Sequence, residues 1–173
     1  FTLSIADTEQ LTASDRIASH RSFSFDAHIG DLYPILAKGG SLHIMPSKIR
    51  KDLDAMYQFI VDNKITGFGC TTSLMMLMLN NYDMPVSFVT AGGEKLSGVE
   101  SNHIRIINLY GPTECTNDST LYVIEPGQKV KNIPIGRPLH NVICLVMSKD
   151  GKLLPQGTPG ELCIAGVQVG KGY

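Results

Sequence analysis

Cysteine is sparse and scattered. Cys70, Cys115, Cys144 and Cys163 are the only four in 173 residues, and no two form a Cys-x-x-Cys pair. That excludes a zinc knuckle. Scattered thiols suit a reducing cytosol, so the expected location is cytoplasmic. Excess charge of one sign is also absent. Fifteen Lys and Arg oppose sixteen Asp and Glu, leaving a formal net charge of −1. There is no basic field for nucleic acid and no polybasic patch for a membrane surface. No apolar run approaches the roughly 20 residues of a spanning helix. The opening FTLSIADTEQ has no basic stretch followed by an apolar core, so no signal peptide is expected. No internal repeat or low-complexity segment is visible. The five histidines are dispersed without metal-ligand spacing and read as surface or core side chains.

What is present is an ordinary globular composition, 43% hydrophobic and 18% charged. From Arg16 to Asn108, short apolar runs alternate with helical stretches. RIASHRSFSF reads as a strand, and HIGDLYPILAKGG as a helix closed by its glycine pair with Lys38 in the last turn. SLHIM is a short strand stopped by Pro46. DLDAMYQFIVDN places Leu53, Met56, Tyr57 and Ile60 on one helical face, with Asp52 able to cap its start. ITGFG is a strand. TTSLMMLMLNN begins with capping hydroxyls and is apolar almost all round, which predicts a buried helix and gives its methionines a core role. SFVTAGG is a strand, EKLSGVESNH a weak helix and IRIINLY a strand. Such alternation implies βαβ crossovers.

After Ser119 the texture becomes short β-runs separated by Pro and Gly, with a hairpin signal at KDGK. The expected fold class is therefore α/β: a mostly parallel, flavodoxin- or Rossmann-like sheet with flanking helices over residues 1–118. A small antiparallel β subdomain over 119–173 follows it. The abrupt ends of the chain suggest an excised piece of a longer protein.

In parallel sheets, ligands bind beyond the carboxyl ends of the strands. The candidate loops follow Phe25, Gly69, Ala91 and Tyr110. In NLYGPTECTND, Gly111 and Pro112 turn the chain sharply off its strand. Thr113 can donate to a phosphate, and Glu114 can hold a Mg²⁺ that binds phosphate oxygens. Tyr110 offers a face for stacking a base, and Asn108 a donor and an acceptor suited to the adenine edge. TAGGE, with Gly92, Gly93 and Glu94, lies at another strand end, where glycine lets a planar ligand lie on the backbone. Alone, GPTE would be only a turn with an exposed acid; two such loops on one sheet point to a nucleotide between them.

Four motifs carry a specific resemblance. NLYGPTE is similar to the NxYGPTE motif of adenylation domains from nonribosomal peptide synthetases, and TAGGEKL to their GGE loop. FSFDAHIGDLYPILAKGGSLHI resembles their FDxS region, and GELCIAGVQVGKGY their GELxIxGxxVARGY motif. The order and spacing cover nearly the whole chain. The resemblance implies an enzyme that activates an amino acid with ATP and Mg²⁺, releases pyrophosphate and loads the acyl group onto a carrier-protein phosphopantetheine thiol. A peptidyl carrier protein and a condensation domain would be partners. It also implies that Asn108 and Tyr110 contact adenine with Gly92 on the other face, beside Gly93, Glu94 and Gly111. Thr113 would bind the α-phosphate and Glu114 the Mg²⁺, the two catalytic positions. Asp26 would pair with the substrate's α-ammonium, although by itself it reads sooner as a helix N-cap.

The side-chain pocket would fall on Asp26, Ala27, Gly30, Ser73, Val89, Ala91, Leu109, Asn117 and Asp118. Small residues at 27, 30 and 91 leave volume, and Ser73, Asn117 and Asp118 add polarity. That leans towards a large substrate side chain with a polar or basic tip, such as Tyr, Trp or Arg. CTTS departs from the usual sequence around Ser73, and Lys171 replaces the usual Arg. The family's TSGTTGxPKG loop, TGD aspartate and C-terminal catalytic lysine do not occur in these 173 residues. The chain alone is accordingly expected to hold half of the ATP site and to be inactive. Two other readings stand beside this one, an acyl- or aryl-CoA synthetase and a ligand-free scaffold module.

Overall fold

The computed structural model describes residues 1–101 and 103–172. Asn102, in the segment expected to be helical, and Tyr173, at the end of the GKGY run, lie outside the described residues. The chain opens with a short helix α1 (Thr2–Thr8). It then alternates through β1 (Arg16–Ser19), α2 (His28–Ala37), β2 (Ser41–Ile44), α3 (Leu53–Asp62), β3 (Gly67–Thr71), α4 (Thr72–Asn81) and β4 (Phe88–Gly92). A strand β5 (Ser97–Glu100) precedes β6 (Arg105–Tyr110). The remaining strands are β7 (Thr120–Ile124), β8 (Lys129–Asn132), β9 (Arg137–Pro138), β10 (Val142–Met147) and β11 (Glu161–Gly166).

Seven strands form one sheet in the order β2-β1-β3-β4-β6-β7-β9. The five from β2 to β6 run parallel. Successive side chains on a strand point to opposite faces, and two cores result. Ala18, Val89 and Ile106 pack with Met56 and Ile60 of α3 and Met75 and Met78 of α4. Their neighbours Ile17, Phe88 and Ile107 pack with Ile5 of α1 and Ile35 of α2. Burying Met56 and Ile60 completely contributes roughly 1.5–3 kcal/mol each. Helix α3 begins as its sequence predicts, with the Asp52 carboxylate accepting from the Ala55 amide at 3.0 Å. Thr71 caps α4 through Leu74 N–H. Lys38 ends α2, its ammonium 2.8 Å from Asp7 Oδ1.

Four features differ from the sequence reading. Strand β1 stops at Ser19 instead of running to Phe25; residues 22–29 make successive i→i+3 turns, Phe25 N to Ser22 O and Ile29 N to Asp26 O. The segment 97–100 is a strand, not a helix. It pairs antiparallel with β8, and Gly98 lies at φ +64°, which a helix does not allow. Helix α4 is buried on one side only: Thr72, Met75 and Met78 are buried while Leu77 is 50% exposed. Finally, β7 and β9 do not stand apart after Ser119 but extend the main sheet antiparallel, β7 folding straight back along β6. Only β10 with β11 and β5 with β8 form separate antiparallel pairs. The KDGK signal is a tight turn, with Ser148 N bonded to Lys152 O and Gly151 at φ +72°. Among the described residues no helix is long and apolar enough to cross a membrane.

Candidate functional site

Two adjoining cavities lie over the carboxyl ends of β3, β4 and β6. The first, about 420 Å³, includes His20, Arg21, Asp26, Ala27, Asn117 and Asp118 in its lining. The second, about 350 Å³, lies between the 93–96 segment, Asn108, Tyr110 and Ile133 and Ile135. Gly93, Leu109 and Gly111 line both.

Each wall has a local cause. A Cβ on Gly111 would collide with Asn117 O and stand 2.6 Å from Ser119 N, so only glycine lets the chain leave β6 and close back on itself. Ser119 N–H bonds Tyr110 O at 2.8 Å across that closure. Between them, Thr113–Cys115 form one 3-10 turn, and Thr116 and Asn117 follow at φ +57° and +69°. Left-handed backbone outside glycine costs of order 1–3 kcal/mol per residue and persists only where the surroundings hold it. On the opposite wall a Cβ on Gly92 would stand 2.9 Å from Leu109 O, and nothing lies within 4 Å of one on Gly93.

Asp26 lies in the turn before α2, where Ala27, not Asp26, occupies the N-cap and no side chain caps the helix. The Asp26 carboxylate faces the first cavity and makes no hydrogen bond or ion pair among the described residues. The N-cap alternative is therefore not realised. Behind the turn, Arg21 Nη1 donates to Asp31 Oδ1 at 2.9 Å and to Ala27 O at 2.8 Å. Ser19 Oγ donates to the other Asp31 oxygen at 2.8 Å. Burial nevertheless pushes Asp31 up to about 6, against the pull of Arg21. Asp118, bonded by the Asn117 amide at 2.8 Å, is pushed up to about 7. Burial is again the main cause; Arg21 opposes it, and Asp26 and Asp31 add to it. His20 is lowered to about 4 by burial and then by Arg21, so its ring is neutral, and its buried Nδ1 has no partner among the described residues.

Of the sequence-predicted residues, the first cavity brings together Asp26, Ala27, Gly92, Gly93, Leu109, Gly111, Thr113, Asn117 and Asp118. Gly30 borders it, since a Cβ there would stand 3.2 Å from the Asn117 amide and 3.8 Å from Asp118 Oδ2. The second cavity gathers Glu94, Asn108 and Tyr110 with the shared glycines. Tyr110 is 40% exposed, and Asn108 donates its amide to Pro134 O at 2.9 Å, leaving its carbonyl as the free group. Ser73, Val89 and Ala91 do not reach the first cavity. Val89 and Ala91 are fully buried in the core beside α3 and α4. The Ser73 amide and hydroxyl both bond Glu94, which ties the 92–94 loop to the start of α4; Cys70 and Thr71 line the cavity instead.

Arg21 and Gln168 were not singled out by motif reasoning. The first had a signal, a cation five residues after the start of a strand and five before an unpaired acid. The second lies inside the GELCIAGVQVGKGY run, but its contacts about 50 residues away leave no local sign of its role.

The two cavities present groups of the kinds expected for a nucleotide. Open backbone at Gly93, an exposed tyrosine face and a free amide carbonyl surround one cavity, and Thr113 lines the other, two residues beyond the shared Gly111. Among the described residues no three metal-ligating side chains converge. Glu114 suits Mg²⁺ only in its usual manner, as one carboxylate beside phosphate oxygens.

Comparison with known proteins bears on this arrangement. The family described as AMP-binding enzyme matches residues 1–173. Tyrocidine synthase 3 of Brevibacillus parabrevis is 35% identical over 177 residues, spanning 96% of this chain and 3% of that protein. Bacitracin synthase 1 of Bacillus licheniformis is 33% identical over 162 residues, 92% of this chain and 3% of that protein. Tyrocidine synthase 1 of Brevibacillus parabrevis is 31% identical, and the chain spans 15% of its length. Among solved structures, a four-domain nonribosomal peptide synthetase bound to AMP and glycine superimposes with a TM-score of 0.86 at 26% identity. It covers all of this chain and 14% of that one. CmiS6 matches equally well in fold, TM-score 0.86, at 21% identity over 100% of this chain and 45% of that one.

Proposed function

The chain belongs to the AMP-binding enzyme family, and on that premise we propose that it is the amino-acid-selecting part of an adenylation unit in a nonribosomal peptide synthetase. The reaction joins the carboxylate of an amino acid to the α-phosphate of ATP and releases pyrophosphate. The aminoacyl adenylate then passes its acyl group to the phosphopantetheine thiol of a peptidyl carrier protein, with a condensation domain further along the assembly. Four unpaired cysteines fit a cytoplasmic setting.

The observation that carries this reading is the Asp26 carboxylate, unpartnered and facing the cavity that shares Gly93, Leu109 and Gly111 with its neighbour. A carboxylate held partly out of water without a cation calls for one, and the α-ammonium of an amino acid supplies it. Its carboxylate would then lie towards Thr113, which lines the same cavity. Asn108 and Tyr110 would hold the purine, Gly92, Gly93 and Glu94 the loop beneath it, and Thr113 the α-phosphate. ATP supplies the leaving pyrophosphate, and Mg²⁺ at Glu114 would neutralise phosphate charge. Ala27, Gly30, Leu109, Asn117 and Asp118 would face the substrate side chain, with Val89 and Ala91 backing them from the core.

The test is amino-acid-dependent ATP–pyrophosphate exchange by the longer protein. Asp26→Ala should reduce it at least about 30-fold, the loss expected when one partner of a desolvated charge pair is removed. If a carboxylic acid lacking an amine supports exchange as well as any amino acid, the chain belongs instead to an acyl- or aryl-CoA synthetase. If an aminoacyl-sulfamoyl adenosine analogue gives no heat on titration into that protein, it is a scaffold.

A further inference from the structure

We propose that Gln168 is a positioning residue for the adenylation reaction, acting by fixing the backbone of the 113–118 loop from outside the cavity. The inference rests on the function proposed above.

The loop has carbonyls that neither helix nor sheet can satisfy. Cys115 O and Asp118 O point out of an irregular turn whose residues 116 and 117 are left-handed. Gln168, 7% exposed, lies just beyond β11 and reaches both. Its Nε2 stands 2.8 Å from Cys115 O, 2.8 Å from Asp118 O and 3.2 Å from Ser119 Oγ. Two protons serve three acceptors, so the amide is saturated as a donor. The contact is reciprocated. Thr116 Oγ1 donates to the Gln168 carbonyl at 2.6 Å, and Gly170 N–H donates to Glu114 O at 2.7 Å. Three backbone carbonyls of the loop, at Glu114, Cys115 and Asp118, are thus held by residues 168–170. That segment is itself anchored through Gly166, which pairs with Val142.

The grip falls midway between two duties. Thr113 and Glu114 lie at the nucleotide end of the loop, Asn117 and Asp118 at the amino-acid end. Releasing the middle lets both ends drift together, which distinguishes Gln168 from a residue that merely supports the fold. A structural residue lowers stability without touching recognition.

Gln168→Met preserves length and apolar stem but removes the donor; Gln168→Glu turns a carboxylate towards three oxygens. In pyrophosphate exchange by the longer protein, Gln168→Met should raise KM for both the amino acid and ATP about five- to tenfold while kcat changes by less than about twofold, and Gln168→Glu should do worse. Discrimination between the preferred amino acid and its nearest analogue should narrow in parallel. Amides 113–119 should take up deuterium faster, with the rest of the sheet unchanged. If Gln168→Met does not fold, Thr116→Ala against Thr116→Ser, which keeps the hydroxyl, reads the same grip on the loop through the Gln168 backbone carbonyl. A lowered Tm with both KM values, the discrimination and the deuterium uptake at wild-type levels would overturn the proposal. If the wild-type protein exchanges with no amino acid, the proposed function fails. The positioning role fails with it, and deuterium uptake then reports only whether Gln168 holds the loop.

Discussion

At Arg21 one guanidinium nitrogen meets two acceptors, the Asp31 carboxylate and the Ala27 carbonyl, so the side chain fixes both the floor of the cavity and the turn that presents Asp26. Side-chain exposures of 14% and 3% make Arg21 and Asp31 a largely desolvated pair. Removing one member leaves a charge with no partner. Arg21→Met should lower unfolding free energy by about 3–5 kcal/mol in a denaturant titration. The sign of the pH dependence follows from Asp31 and Asp118, raised to about 6 and about 7. Between the unfolded carboxylate value and these values the folded state holds protons that the unfolded chain has released. Stability is therefore greatest below about pH 4, falls as pH rises to about 7, and is level above that for these two groups. Asp118→Asn should flatten the upper part of that slope, measured as Tm against pH by scanning calorimetry. The sequence marks Asp118 as a candidate pocket residue but not the state it is in. Its ionisation is set by burial first and then by Arg21, which lies on the far side of a turn that periodicity reads as strand.

At the scale of elements, local signals were read well where they were self-contained. Asp52 caps α3 as its position predicts, and Asp52→Ala should cost about 1 kcal/mol in stability while leaving pyrophosphate exchange unchanged. The GPTE turn was equally legible. Gly111→Ala would drive a methyl into Asn117 O, and the loop would have to reopen. Exchange should drop at least about tenfold, in keeping with one strained backbone position of 1–3 kcal/mol at a site that needs its geometry. Misreadings occurred where a partner remote in sequence decided the outcome. Residues 97–100 become a strand because β8 offers an edge 30 residues later. Strand β1 ends early because Arg21 turns inward to Asp31. Ser73 leaves the cavity because Glu94 binds its amide and hydroxyl. Of these partners only Asp31, ten residues from Arg21, falls within a window of a dozen residues, and nothing in that window says that the pair closes.

For the whole molecule, alternation of strands and helices was enough to give the parallel sheet, and the position of the site followed from where such sheets bind ligands. The antiparallel return of β7 and β9 into that sheet was not legible, because short β-runs rich in Pro and Gly look the same whether they join a sheet or stand apart. The chain spans 3–15% of the synthetases it resembles. On the proposed function, residues 1–173 by themselves should give no measurable pyrophosphate exchange where the longer protein does, because no TSGTTGxPKG phosphate loop occurs in them; robust turnover would refute that. A last consequence concerns redesign. Gly93, Leu109 and Gly111 form a party wall between two rooms. Anyone retuning this pocket for a new building block can remodel Ala27 or Gly30 without disturbing the tenant next door, whereas every atom added at Leu109 is taken from both.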